Sequence, residues 1–212
     1  GSVCVKTNRG RNAVLGSLLQ YKEIWMVRRI AICLWLTASS TAGHAQQFVP
    51  PEYVTFAGKT YQLAYKNALP DGKAIFEYTS NNEPVENWSS LVTINYSKSF
   101  LISPTKWGEA MKASLDRRKP RPHYSLYTKE NNSYARIIFE PDAKDPTYES
   151  NIQKSFHIEA CGGLVVYQFA QKYPPGSDQS AEGRLSTLKT IVGANTLATE
   201  LIEKSDWFPA CN

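Results

Sequence analysis

Histidine and cysteine are too scarce in this chain for most metal and nucleophile chemistry: there are three histidines and four cysteines in 212 residues. No HExxH, CxxC, GxSxG or Walker pattern occurs. A zinc site needs three or four ligands, and nothing in the sequence clusters them. No metal and no cofactor are expected. The conspicuous apolar run, residues 30–38, falls short of the roughly 20 residues that cross a bilayer. Internal repeats and low-complexity tracts are missing too, and nothing marks a second domain.

What is present begins with residues 26–45. Met26-Val27 precede Arg28-Arg29, the apolar run follows, and small residues Gly43 and Ala45 flank His44 just before Gln46. This is the order of a secretory signal peptide, which is removed and contributes nothing to a fold. The working protein is expected to start at Gln46 in the bacterial periplasm, with no stable membrane anchor. Gly1-Ser2 reads as a cloning scar. Residues 3–25, basic and patternless, read as a translation start placed too far upstream. The rival assignment makes residues 30–36 a buried helix or anchor in a genuine extension. The joint occurrence of basic, apolar and cleavage regions weighs against it.

Removing the leader changes the charge. Of 24 basic and 19 acidic residues, residues 1–45 hold six and one, which leaves 18 of each. A neutral domain has no global attraction for nucleic acid or for an anionic membrane. Cys4 and Cys33 leave with the leader, and Cys161 and Cys211 remain. In an oxidising compartment these two are expected to form a disulfide.

The rest, residues 46–212, reads as one α+β domain: an antiparallel sheet covered by helices. Residues 54–65 read as a hairpin turning at Gly58-Lys59, and Pro70-Asp71-Gly72 makes a second turn. Residues 74–79 and 88–97 are strands. Ser103 is a candidate N-cap with Pro104 at N1, ahead of a stripe of Trp107, Ala110, Met111 and Leu115. Residues 124–128 and 133–140 flank a turn at Asn131-Asn132, and residues 152–160 and 164–173 flank one at Cys161-Gly162-Gly163. Ser180 caps a helix with the stripe Leu185, Leu188, Ile191 and Val192, ending at Gly193. A separate C-terminal helical extension, 195–212, carries Leu197, Leu201 and Ile202.

This order of elements resembles the PsbP-like α/β/α fold. The strand 88–96, the helix from Pro104 and Trp107 to Leu115, the strands 124–128 and 134–139, the aromatic-rich run Val165-Val166-Tyr167-Gln168-Phe169 and the helix 185–192 carry the likeness, which spans residues 54–192. The extension 195–212 has no counterpart in it. The resemblance implies a binding or accessory module rather than an enzyme.

Among chemistry-bearing residues, Ser155-Phe156-His157-Ile158-Glu159-Ala160-Cys161 places His157, Glu159 and Cys161 on one strand face. At about 3.3 Å per residue, His157 and Cys161 stand roughly 13 Å apart, too far for a Cys–His pair. The disulfide is the favoured role for Cys161, and no catalytic residue is assigned. The basic run Arg117, Arg118, Lys119, Arg121 and His123, with Trp88 and Tyr96, is the candidate partner-binding set. A solvated helix end is the plainer reading of that run. Asp142, Asp145 and Glu149, or Glu200, Glu203 and Asp206, supply balancing acid. Ten tyrosine and tryptophan positions fit an interface or a half-buried sheet face about equally. The sequons at Asn87, Asn95 and Asn131 read as chance in a bacterial protein.

The functional expectation is a non-enzymatic periplasmic protein working through protein–protein contacts, in its sharpest form an immunity protein against a secreted toxin. The alternatives are an envelope-acting hydrolase using a carboxylate pair drawn from Glu77, Glu86 and Glu159, and a small-ligand or lipid carrier, which would need an apolar cavity of about 300 Å³ or more between sheet and helix.

Overall fold

Two tight turns frame the sheet. β2 (Tyr53–Phe56) and β3 (Lys59–Ala68) meet at Ala57-Gly58, with φ of 50° and 76°; β6 (His123–Lys129) and β7 (Asn132–Phe139) meet at Glu130-Asn131, with φ of 51° and 62°. A two-residue hairpin loop with both central residues at positive φ matches the twist of its strands. Pairing of Phe56 with Lys59 and of Lys129 with Asn132 sets each turn one residue earlier than the sequence suggested. The computed structural model describes residues 48–98, 102–143, 145–205 and 209–211. The scar and upstream segment 1–25, the leader 26–45, the start at Gln46, and Asp206, Trp207 and Phe208 of the tail lie outside the described residues.

β4 (Lys73–Thr79), β5 (Ser90–Ser97), β8 (Tyr148–Ile158) and β9 (Gly163–Tyr173) complete an eight-stranded antiparallel sheet of order β2-β3-β4-β5-β9-β8-β7-β6. Two four-stranded meanders thus join where β5 pairs with β9, Ile94 opposite Tyr167. β5 and β9 are central strands, and side chains on both of their faces are buried. One face carries Phe76, Val92, Ile94, Ile152, Tyr167 and Phe169; the other carries Ala135, Ile137, Leu164 and Val166.

One helix follows each meander, and the two land on opposite faces. α1 (Pro104–Asp116) opens as expected: the Ser103 Oγ accepts from the Lys106 amide at 3.2 Å, with Pro104 at N1. Trp107 and Leu115 pack on the Ile137 and Val166 face. Ala110 is exposed, because the stripe runs instead through Gly108, where an added Cβ would lie 3.4 Å from the Ser133 hydroxyl. The second helix, α2 (Ala181–Lys204), packs on β7 and β8 from the other face, and α1 on β6, β7 and β8. The sheet dominates this α+β domain, and the helices pack chiefly on β6, β7 and β8.

α2 (Ala181–Lys204) is one helix of 24 residues, which corrects the expected stop at Gly193 and the separate extension. Glycine permits a left-handed C-cap but does not require one. The buried stripe continues past it through Ile191, Asn195, Thr199 and Ile202. The Ser150 hydroxyl on β8 donates to the Asn195 amide oxygen. A Cβ added at Gly193 meets nothing within 4 Å. Gly193→Ala is therefore expected to stabilise the protein by about 0.5–1 kcal/mol, read as a higher urea midpoint with an unchanged slope.

The ends of the described chain are clasped together. β1 (Phe48–Val49) pairs with β10 (Ala210–Cys211), Phe48 opposite Cys211. Cys211 is disulfide-bonded to Cys161, with Cα atoms 5.3 Å apart. β8 ends at Ile158, so Cys161 lies in the β8–β9 turn and not in a strand. The Phe48 ring stacks on Tyr96 at 4.6 Å and on Phe76 at 5.4 Å. Gly163 allows the turn to close: a Cβ there would stand 2.5 Å from the Ser97 carbonyl oxygen.

Candidate binding surface on the second helix

α2 buries polar residues and exposes leucines. Asn195 and Thr199 are 4% exposed, whereas Leu185 and Val192 are 52%, Leu197 66% and Leu201 45% exposed. Leu185 and Val192 lie on one flank of the helix, Leu197 and Leu201 on the other, as their spacing at 3.6 residues per turn requires. Because the strong apolar residues lie on the flanks, they mislead a reading that takes hydrophobic spacing as the buried stripe. The buried stripe itself is polar where Asn195 bonds to Ser150. The Thr199 hydroxyl donates to the Asn195 backbone carbonyl at 2.6 Å.

The Leu197 and Leu201 flank faces the β2–β3 hairpin across an open groove of about 320 Å³. Phe56, Tyr61 and Phe169 supply the sheet side, and Ala194, Leu197, Ala198 and Leu201 the helix side. Lys59, Ser90 and Gln171 are its polar side chains. The Tyr61 hydroxyl donates to Ser90 Oγ at 3.1 Å, and burial raises the Tyr61 pKa above its ordinary value. Lys59 is exposed and forms no ion pair among the described residues. The nearby Glu83 carboxylate is taken by the Ser89 amide and hydroxyl at 2.7 and 2.6 Å.

Three positions of the basic run, Arg118, Arg121 and His123, meet partners beside them. The Arg118 guanidinium lies 4.8 Å over the Phe139 ring. Arg121 bonds to Asp116 and to the Tyr124 hydroxyl, and His123 Nε2 lies 2.7 Å from the Glu140 carboxylate. Arg117 and Lys119 are exposed, with no ion pair among the described residues. Asp116 is the hub of this end of α1. Hydrogen bonds from Lys112 and Tyr124, and the charge of Arg121, lower its carboxyl pKa to about 2. A depressed carboxyl stabilises the fold above its ordinary pKa of 3.8, and that support fades as pH falls toward about 2. The Asp116 carboxyl carbon in an NMR titration is expected to show its midpoint near 2. Lys112→Met should move that midpoint upward.

Tyr96 is a core residue, 8% exposed, and its hydroxyl donates toward the Cys161 and Gly162 carbonyls at 3.2 and 3.1 Å. It therefore offers no ring to a partner. Trp88 is half-buried beneath the Lys172 ammonium, 5.0 Å from its ring. Most of the tyrosines belong to the sheet: Tyr61, Tyr78, Tyr134, Tyr148 and Tyr167 are buried, while Tyr53 and Tyr65 are exposed. Burial raises the Tyr78 and Tyr167 pKa values.

Glu86 and Glu159 are exposed, and neither they nor Glu77 line the groove. The sulfur of Cys161 is committed to the disulfide. Asp145 pairs with Lys172 and Glu203 with Lys129, each at 2.8 Å. On the α1 face, one polar feature escaped the sequence reading. Gln153 donates to Gln168, Gln168 to Asn151, and Asn151 to the Glu149 carboxylate, a chain of amides across β8 and β9. Strand alternation could have placed these residues on one face, but not shown that they are buried. Among the described residues no group of three or more His, Cys, Asp or Glu side chains is placed to hold a metal ion. No described helix is long and apolar enough to cross a membrane.

A family model matches residues 48–207, from β1 to beyond α2. The chain belongs to this family. No function is attached to the family. An uncharacterized protein of Haemophilus influenzae is 24% identical over 145 residues, covering 65% of this chain and 73% of its own length. The family span takes in all of α2, so the helix half with Leu197 and Leu201 is part of the shared fold and not an appendage.

Proposed function

We propose that this family member is a non-enzymatic periplasmic binding or accessory protein, exported by the leader at 26–45, with a PsbP-like α/β/α architecture. It acts through protein–protein contacts centred on the exposed side of α2. The observation that carries this reading is the inverted helix: Leu197 and Leu201 stand in solvent while Asn195 and Thr199 are buried. Burying apolar area on docking is worth about 25 cal/mol per Å² before the costs of association. In the sharpest version the partner is a secreted toxin and the protein is its immunity factor.

The test is capture from periplasmic extract by wild type and by Leu197→Asp/Leu201→Asp. One stoichiometric partner held by the wild type and lost by the variant is the expected result. A toxin identified in that band, and growth protection that the variant lacks, would support the immunity version. No stoichiometric partner for the wild type, or equal capture by both, would contradict the reading.

A second reading, a small-ligand carrier, is favoured by the groove itself. Its volume of about 320 Å³ falls at the lower end of ligand-pocket sizes, and its walls are mostly apolar.

A further inference from the structure

We infer that the groove between α2 and the β2–β3 hairpin binds a free fatty-acid carboxylate of medium chain length. This rests on the carrier reading and adds the chemical class of the ligand. The volume of about 320 Å³ matches about ten water molecules at about 30 Å³ each, room for a single chain of about ten carbons. Leu197, Leu201 and Phe169 give that chain an apolar bed.

The polar groups select the head. Lys59 is the charged residue lining the groove; it makes no ion-pair contact among the described residues, and the carboxylate that feels its charge, Glu83, is bonded to Ser89 instead. Lys59 and Tyr61 lie two apart on β3 and so point to the same face of the strand. The Tyr61 hydroxyl bonds to Ser90, and Ser90 pairs with Gln171 across β5 and β9. An ammonium, a serine hydroxyl that accepts from Tyr61 and keeps its own proton, and a side-chain amide thus border one apolar bed. Together they offer donors to a carboxylate. A cationic head would meet Lys59 as a like charge.

The experiment is titration calorimetry of the protein with decanoate, decanol and decyltrimethylammonium, all below their aggregation thresholds, and with phosphatidylglycerol vesicles. Decanoate should bind at one site, and a single partly solvated ion pair should favour it over decanol by about three- to fivefold at low salt. Salt should erode that preference. Lys59→Gln should bring decanoate and decanol to parity, and Leu197→Asp should abolish binding of both. Leu197 is exposed, so the variant is expected to keep the wild-type circular dichroism.

Wild-type binding of decanol as tightly as decanoate at low salt would overturn the head-group inference and leave the carrier reading standing. No binding of any single-chain probe would overturn both. Binding to vesicles but not to decanoate would mark surface association and would also overturn the inference. Decanoate binding unchanged by both variants would place the ligand elsewhere and refute this site.

Discussion

Replacing both bridge cysteines, Cys161→Ser/Cys211→Ser, is expected to lower stability by about 4 kcal/mol. The two residues are 50 apart in sequence, and closing a loop of that length removes about 4 kcal/mol of unfolded-state entropy in the chain-entropy model. The bridge also holds a structure that cannot hold itself. β1 and β10 are two residues each, and a ribbon that small is marginal in water. Without the bridge the clasp should open and release Phe48 from its stack on Tyr96 and Phe76. Urea unfolding checks this. The double variant and the reduced wild type should share one lowered midpoint. A loss under about 1 kcal/mol would show that the clasp is held by packing and not by the bridge.

Trp107→Ala should cost about 3–5 kcal/mol, the range for large aromatic truncations in a packed core. α1 has 13 residues, a length at which an isolated helix is marginal. Its cap contributes only about 1 kcal/mol. Packing must therefore hold it, and Trp107 and Leu115, 9% and 2% exposed, are its anchors on Ala135, Ile137, Leu164 and Val166. Ala110→Ser provides the control: Ala110 is exposed, and its replacement should change stability by less than about 0.5 kcal/mol. Chemical denaturation followed by circular dichroism gives both values. Equal effects at the two positions would mean that α1 is not anchored through Trp107.

The features legible in the sequence are those fixed by local chemistry. Ser103-Pro104 announces the start of α1, and Pro70-Asp71-Gly72 announces the turn that Gly72 completes at φ 77°. Cys161 and Cys211, the two cysteines of residues 46–212, are the pair that the structure joins. The hairpin turns were legible to within one residue, because local sequence does not settle which two residues take positive φ. Their strand partners do.

The exposed flank of α2 proposed as a docking surface was hidden for the opposite reason. Hydrophobic spacing assigns Leu185, Val192, Leu197 and Leu201 to the core, yet they are exposed. The stripe that faces the sheet is held in part by Asn195 and Thr199, whose partners on β8 and within α2 are visible only in three dimensions. The basic run was plain as a run of charge. The contacts of Arg121, Arg118 and His123 with Asp116, Phe139 and Glu140 depend on how α1 meets β6 and β7.

The central claim is that the Leu197 flank of α2 is a docking surface. Photocrosslinking in bacterial cells that express the protein tests it most directly, with benzoylphenylalanine placed at Leu197 and, as a control, at Glu182 near the other end of the helix. The account predicts one discrete protein adduct from position 197 and none from position 182. No adduct from either position, or the same diffuse pattern from both, would contradict it.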